Sequence, residues 1–163
     1  MLRNRRVMMT GLLIAAAALV AVTVFAQAPN WLKGSTEEQL KTLADIQPGL
    51  GTVMIEYGNR FTTAYYAAKG GNWQFADYQI KEAREIQEVG ETTRPGRAPG
   101  LKKFESTFLE PIDAAIKAKD FKKFDAAFKS GIAGCNACHA KEGFPYIKYQ
   151  LPKESPSPIS NTP

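Results

Sequence analysis

The C-terminal part of the chain carries a Cys-x-x-Cys-His motif, Cys135-Asn136-Ala137-Cys138-His139, inside a segment with helical periodicity. Residues spaced by three or four positions share one face of a helix, and the motif continues such a series. The series comprises Phe121, Phe124, Phe128, Ile132, Cys135 and His139. The face that predicts a buried core therefore also carries the motif, so the fold must place a thiol and an imidazole in its interior.

The motif predicts one covalently attached c-type haem. Two thiols one helical turn apart can each form a thioether to the porphyrin edge, and the adjacent imidazole then reaches the iron from one side. We therefore predict that Cys135 and Cys138 bind one haem c and that His139 is the proximal iron ligand.

Three other uses of the motif fit the sequence less well. A structural zinc site needs about four nitrogen or sulfur ligands, whereas the chain has two cysteines and one histidine. A thioredoxin-like dithiol expects a βαβ context, but the segment is helical in pattern. A structural disulfide suits an exported protein and leaves the adjacent histidine unexplained.

The N-terminus has the pattern of a secretory signal peptide, predicted over residues 1–26. An apolar run over residues 7–24 follows a basic head, and Val24-Phe25-Ala26 offers a small-residue cleavage site. The basic residues of the head are Arg3, Arg5 and Arg6. The alternative is a retained membrane anchor, because the run approaches the ~20 residues that span a bilayer. Both readings place the rest of the protein outside the cytoplasm, and we predict the periplasm.

The net charge gives no support for nucleic-acid binding. The formal charge of +5 includes three basic residues and none of the 16 acidic residues in positions 1–26. Without that segment, 18 basic residues face 16 acidic ones and the net charge is +2. A charge this close to zero predicts no nucleic-acid partner.

Residues 27–143 are predicted to be helical, with little strand-like alternation. In the N-terminal segment 27–47, a capping box at Ser35-Thr36-Glu37-Glu38 predicts one short helix to about Asp45. Residues 48–143 carry four amphipathic patterns with short connections, which predict an all-α, antiparallel four-helix bundle with the haem on its last helix.

The breaks between these four patterns are set by proline, glycine and capping residues. Pro48 predicts the start of the first helix and Gly70-Gly71 its end. Asn72 predicts the start of the second, and the basic segment 94–100 is predicted to break the chain. The third runs to about Lys119 with a kink or restart near Glu110, because Pro111 follows. The fourth runs from Asp120 to about Lys141.

Residues 144–163 are predicted to form an extended, Pro-rich C-terminal tail. From Pro152 onward the composition is typical of disorder. The apolar stretch 144–149 is predicted to lie across the domain surface, where it either shields the haem or packs locally without touching it.

A helical chain with its haem motif on the last helix resembles the class II cytochromes c, that is, cytochrome c′ and its low-spin, methionine-ligated relatives. The resemblance covers about residues 49–143 and rests on architecture and on the motif ending at His139. Class I cytochromes c are a poor match, because no methionine follows His139. Since class II proteins often dimerise, the resemblance also implies a homodimer as an option.

The sixth iron ligand can be sought by elimination. His139 is the only histidine, and three of the four methionines (Met1, Met8 and Met9) lie in the leader. Met54 remains, on the core stripe of the first long helix, where low-spin members of the resembled class place their methionine ligand. We predict Met54 as the distal ligand; the alternative is that it only fills core space and the iron stays five-coordinate.

Glycines near these ligands are predicted to make room for a flat porphyrin. Gly51 and Gly58 lie one turn before and one turn after Met54. Beside the attachment site, small residues keep the surface of the last helix slim, namely Gly131, Gly134, Ala137 and Ala140.

Two functions follow from the two ligand sets. With His139 and Met54 both bound, the protein is predicted to be a one-electron carrier that meets redox partner proteins. With an open distal position, it would bind nitric oxide or carbon monoxide. No enzyme activity and no catalytic residue is predicted, because no second histidine is present to act as acid or base. Membrane contact is expected only if the N-terminal segment is retained.

Overall fold

The computed structural model describes residues 31–159, and in this range the chain is all-α, with five helices and no strand. The chain divides into two compact units at the Gln47–Pro48 bond. The predicted signal peptide, residues 27–30 and the last four residues of the tail lie outside the described residues. Between residues 31 and 159, no helix is long and apolar enough to cross a membrane.

The first unit contains helix α1, Thr36–Asp45, which begins at the predicted capping box. The Ser35 side chain accepts a hydrogen bond from the Glu38 backbone N–H at 3.3 Å, and the Glu38 carboxylate accepts one from the Ser35 N–H at 2.6 Å. These bonds satisfy two N–H groups that a helix start leaves free. The Glu38 carboxylate accepts from both the N–H and the hydroxyl of Ser35, and this lowers the pKa of Glu38. The prediction of a short helix here is confirmed.

The second unit begins with two long helices, α2 (Leu50–Lys69) and α3 (Trp73–Thr93), which pack along each other. Helix α2 begins two residues after Pro48, because Gly49 is extended and acts as the N-cap. The chain leaves α2 at Gly70 and turns through Gly71, whose φ of +82° favours glycine. The predicted cap of α3 is confirmed, since the Asn72 side chain accepts from the Phe75 N–H at 3.1 Å.

Helix α4 runs over residues 98–117 and changes type along its length. It is α-helical over Ala98–Phe104, π-helical over Glu105–Leu109 and α-helical again over Glu110–Lys117. The prediction that residues 94–100 are all outside the helix was wrong, because α4 already begins at Ala98. Pro99 lies in the first turn, where its missing N–H costs no intrahelical hydrogen bond.

The π-helical turn accommodates Pro111. Proline removes one helical hydrogen bond and its ring collides with the preceding turn. The wide turn relieves this, and the Glu110 N–H bonds the Glu105 carbonyl five residues earlier. The predicted restart near Glu110 is therefore confirmed.

Helix α5, Phe121–Lys141, packs against α4 and α2. The Asp120 side chain caps it by accepting from the Lys123 N–H at 3.0 Å. Its Phe128 ring stacks on Phe61 of α2 at a centroid distance of 4.1 Å, and both rings are fully buried. Aromatic pairs of this kind contribute about 0.5–1.5 kcal/mol beyond the area they bury, so they hold the two helices in a fixed relation.

An ion-paired arginine joins α3 to α4. The Arg84 guanidinium contacts both Glu105, in the π-helical turn, and Asp113, about two helical turns later. Burial nevertheless raises the pKa of Asp113, while its bond to Arg84 opposes that shift.

Candidate functional site

A cavity of about 600 Å³ opens within the second unit. This volume lies in the range of small-molecule and cofactor sites. Helix α2, the start of α4, the end of α5 and residues 144–149 all contribute to its wall. Most of the lining side chains are apolar or aromatic; they include Leu50, Met54, Ile55, Tyr57, Phe61, Leu101, Phe104, Phe144, Ile147 and Tyr149.

The four site residues named from the sequence all line this cavity. The last two turns of α5 carry Cys135, Cys138 and His139. Cys138 and His139 follow Cys135 by three and four residues, so the three side chains share one face of the helix. Met54 lies on α2, and it is half-buried against the core. The fold thus brings the Met54 thioether to the same cavity as the two thiols and the imidazole of the motif. The motif begins more than eighty residues after Met54 in the sequence.

Both cysteines are free thiols. Burial, together with the neighbouring Cys138, raises the pKa of Cys135 to about 12. A redox-active dithiol needs a lowered thiol pKa, so this environment does not favour thioredoxin-like chemistry. It suits a neutral sulfur such as a thioether. Among residues 31–159, no three His, Cys, Asp or Glu side chains are grouped so as to hold a metal ion.

The imidazole of His139 has a defined backbone partner. Its Nδ1 lies 3.0 Å from the carbonyl oxygen of Ile147. A carbonyl can only accept, so Nδ1 carries the proton and donates it, and in the neutral ring Nε2 keeps its lone pair. Nε2 is the atom that a metal would bind.

Tyr57 contributes a buried hydroxyl that no described residue bonds. Burial raises the pKa of this phenol well above its ordinary value, with a smaller contribution from Cys135. Because buried polar groups are nearly always hydrogen-bonded, this hydroxyl is a donor for which the described residues supply no acceptor. The two thiols, the imidazole and the thioether that line the cavity are the donor types that the haem predicted from the motif would use.

Three glycines line the cavity and, because they have no side chain, leave open space along its wall. A Cβ added at Gly51 would meet no atom within 4 Å, and one at Gly58 would lie 3.8 Å from the Tyr149 ring. Gly100, at the start of α4, faces the motif, since its Cβ would lie 4.0 Å from Cys138 Sγ. Gly51 and Gly58 line the cavity, so the open space predicted beside Met54 is present, and its use by a porphyrin stays a prediction. Gly100 was not anticipated.

The prediction that Gly131 and Gly134 make room for a porphyrin was wrong. A Cβ at Gly131 would lie 3.1 Å from Phe61 Cζ, and one at Gly134 would overlap the Phe108 ring. Neither residue lines the cavity. Their small size instead allows α5 to approach α2 and α4 closely.

No family model, curated protein or solved structure matches this chain.

Sequence reasoning missed the cationic residues of the cavity. Arg94, Arg97 and Lys148 contribute to its wall. Arg97 also pairs with Glu142 at the end of α5, which ties the turn before α4 to the motif helix. The sequence does show two arginines in the Pro/Gly-rich segment 94–100. Only the fold shows that this segment lies beside the motif.

The C-terminal strap, residues 144–152, was only partly anticipated. It has no helix or strand, yet Tyr149 and Leu151 pack against the core and four of its residues line the cavity. The stretch lines the cavity and does not only pack locally, while its shielding of a haem stays a prediction. The Tyr66 hydroxyl donates to the Pro152 carbonyl, so contact with the domain extends to that residue.

Proposed function

We propose that this chain is an exported, monohaem c-type cytochrome that carries single electrons between partner proteins in the periplasm. The observation that carries the proposal is that Cys135, Cys138, His139 and Met54 line one cavity. In this proposal residues 48–143 form an antiparallel four-helix bundle like that of the class II cytochromes c. A haem would supply a one-electron iron couple.

Each site residue has a distinct role in the proposal. Cys135 and Cys138 hold the porphyrin edge through thioethers, and His139 offers Nε2 to the iron. Met54 offers its thioether from the facing helix. Arg94 and Arg97 bring guanidinium groups to the cavity, which suits the two carboxylates of a haem, since such pairs make strong charge-assisted hydrogen bonds.

The packing around the cavity favours electron transfer over gas binding. Met54 and His139 lie on α2 and α5, and these helices are joined by the stacked Phe61 and Phe128 rings. Two ligands held on packed helices keep their positions when the iron changes oxidation state. The apolar wall also limits water, so little solvent must reorganise when an electron moves.

The decisive experiment compares optical spectra of the exported protein with those of a Met54→Leu variant. Leucine keeps the approximate volume and removes the sulfur. For the wild type we expect a mass increase of one covalent haem, low-spin spectra in both oxidation states, the weak red band of methionine ligation and no shift with carbon monoxide. Met54→Leu should retain the haem, become high-spin and bind carbon monoxide.

An Ile55→Leu variant is the matched control, since Ile55 adjoins Met54, lines the cavity and is 70 % exposed. It should keep the low-spin spectrum. A wild-type protein that is high-spin and binds carbon monoxide at once would make Met54 a packing residue and gas binding the function. A wild-type protein without covalent haem would overturn the proposal itself.

A further inference from the structure

We infer that the C-terminal strap is a positioning device for the proximal ligand. Asn136, inside the motif, holds the backbone of Tyr149, and this fixes the Ile147 carbonyl as the acceptor for His139 Nδ1–H. The inference rests on the proposed function, because it assigns His139 to iron. It adds two positioning residues, Asn136 and Tyr149, that the motif alone does not identify.

The strap begins with a sharp reversal at the end of α5. Gly143 has a φ of +91°, a left-handed conformation that glycine adopts without strain. The Phe144 N–H then donates to the His139 carbonyl at 2.8 Å, and the Ile147 N–H donates to the Phe144 carbonyl at 3.0 Å. This pattern closes the helix end and turns the chain back along α5.

The Asn136 side chain fixes the register of the returning strap. Its amide Nδ2 donates to the Tyr149 carbonyl at 3.1 Å, and its Oδ1 accepts from the Tyr149 N–H at 2.7 Å. Asn136 and His139 are three residues apart on α5 and share a face. The later residue on α5, His139, bonds the earlier strap residue, Ile147, because the strap runs back along the helix. One position of the strap therefore satisfies both contacts.

The Tyr149 side chain attaches the strap to α2 as well. Its ring lies 5.9 Å from the Phe61 ring between centroids, and its hydroxyl is 2.6 Å from Thr62 Oγ1. The Ile147 carbonyl therefore lies between two fixed points, the reversal at Gly143 and the clamp at Tyr149. An acceptor held in this way needs no rearrangement to meet His139.

The chemical consequence concerns the iron potential. A histidine that donates its second ring N–H to a carbonyl becomes a more basic ligand and keeps its tautomer and orientation. A more basic ligand favours ferric over ferrous iron, and hydrogen bonding around the ligands is one of the ways a protein sets a haem potential. The clamp should thus lower the potential while leaving haem attachment to the two cysteines.

The test uses Asn136→Leu, which removes both clamp bonds at similar size, and Tyr146→Phe, a control in the strap at a residue that is 76 % exposed and does not line the cavity. Because His139 is the only histidine, the full-length holoprotein labelled with ¹⁵N-histidine reports one ring. We expect the Nδ1–H of wild type and Tyr146→Phe to be protected from exchange. In Asn136→Leu this N–H should exchange at least tenfold faster. The reduction potential should rise by about 59 mV, which is a tenfold change in the equilibrium constant of a one-electron couple.

Asn136→Ala serves as a second variant, since alanine favours the helix and leaves no bulk in place of the amide. It should give the same changes. If both variants keep their haem, their exchange protection and their potential, the inference is overturned while the proposed function stands. If the wild type carries no haem, the proposed function has failed instead.

Discussion

Tyr57 shows, at the scale of one residue, how a buried atom limits what a cavity can hold. Leaving its hydroxyl without a partner would cost about 1–3 kcal/mol, and the ring is only 6 % exposed. Burial raises its pKa well above the ordinary value, so the phenol stays protonated and remains a donor at neutral pH. An acceptor on the proposed haem would remove this cost.

We predict that Tyr57→Phe lowers the reduction potential of the proposed haem. The shift should be less than about 59 mV, the value for a tenfold change in the equilibrium constant of a one-electron couple. The phenyl ring keeps its packing, while the lost donor no longer stabilises the more electron-rich ferrous state. Potentiometric titration at several pH values checks this, and the difference from wild type should be the same from pH 5 to 9. Tyr65→Phe is the control, because Tyr65 already donates to Asp125 and does not line the cavity. An unchanged potential in Tyr57→Phe would mean that the hydroxyl meets something other than the haem.

At the scale of the element, two glycines of α5 provide a test of helix approach. Alanine should favour the helix by up to about 1 kcal/mol at either site. At Gly134 its Cβ would overlap the Phe108 ring, whereas at Gly131 it would only crowd Phe61. Overpacking costs about 1–3 kcal/mol, so we expect Gly134→Ala to lower the free energy of unfolding and Gly131→Ala to lower it less. Denaturant unfolding measures both, and equal stabilisation by the two would show that the rings move freely.

The contact between α2 and α5 also contains a titratable pair. The Tyr65 hydroxyl donates to Asp125 Oδ1 at 2.9 Å. Burial, and then this bond, raise the pKa of Tyr65 to about 12, against about 10 for an unfolded tyrosine. Because the folded pKa is the higher one, the pair stabilises the fold fully below pH 10, and this contribution is lost as the pH rises through 12.

Spectrophotometric titration of wild type minus Tyr65→Phe should therefore show one tyrosine that ionises near pH 12. Asp125→Asn should lower this value only in part, since burial is the larger cause. A difference curve centred near pH 10 would contradict the buried pairing.

The helices show what the sequence can and cannot predict. Periodic apolar spacing identified α2, α3 and α5, and local chemistry identified the caps at Ser35, Asn72 and Asp120, because both depend on near neighbours. The start of α4 was misplaced because proline is tolerated in a first turn. Tyr149 gave no periodic signal, since its position depends on Asn136 and on the surface of α2. Gly134 was misread because spacing alone cannot say which helix faces it.

At the scale of the whole molecule, the second unit has an open end and a filled one. The cavity separates α2, α4 and α5 near the motif, whereas the other end is filled by buried side chains such as Ile80, Leu109 and Phe124. Stability should follow this division, because a cofactor that binds only the folded state stabilises the walls it touches.

We predict that a Cys135→Ser/Cys138→Ser protein, which cannot attach haem, loses hydrogen-exchange protection mainly around the cavity. Residues 50–58, 98–104 and 135–149 should exchange faster, while residues 76–83 and 109–128 stay protected. Hydrogen exchange read by mass spectrometry checks this against the wild-type holoprotein. A uniform loss across both sets would mean that the unit unfolds as a single block.

The chain reversal at Gly143 has a consequence for how the protein is completed. The strap follows the motif in the chain and bonds both Asn136 and His139, so it can close only on a finished α5. Until α5 has formed, residues 144–152 have no Asn136 or His139 to bond, and they remain an apolar end of the kind that proteases cut. Completion of α5 and protection of the C-terminal end should therefore occur in the same folding step.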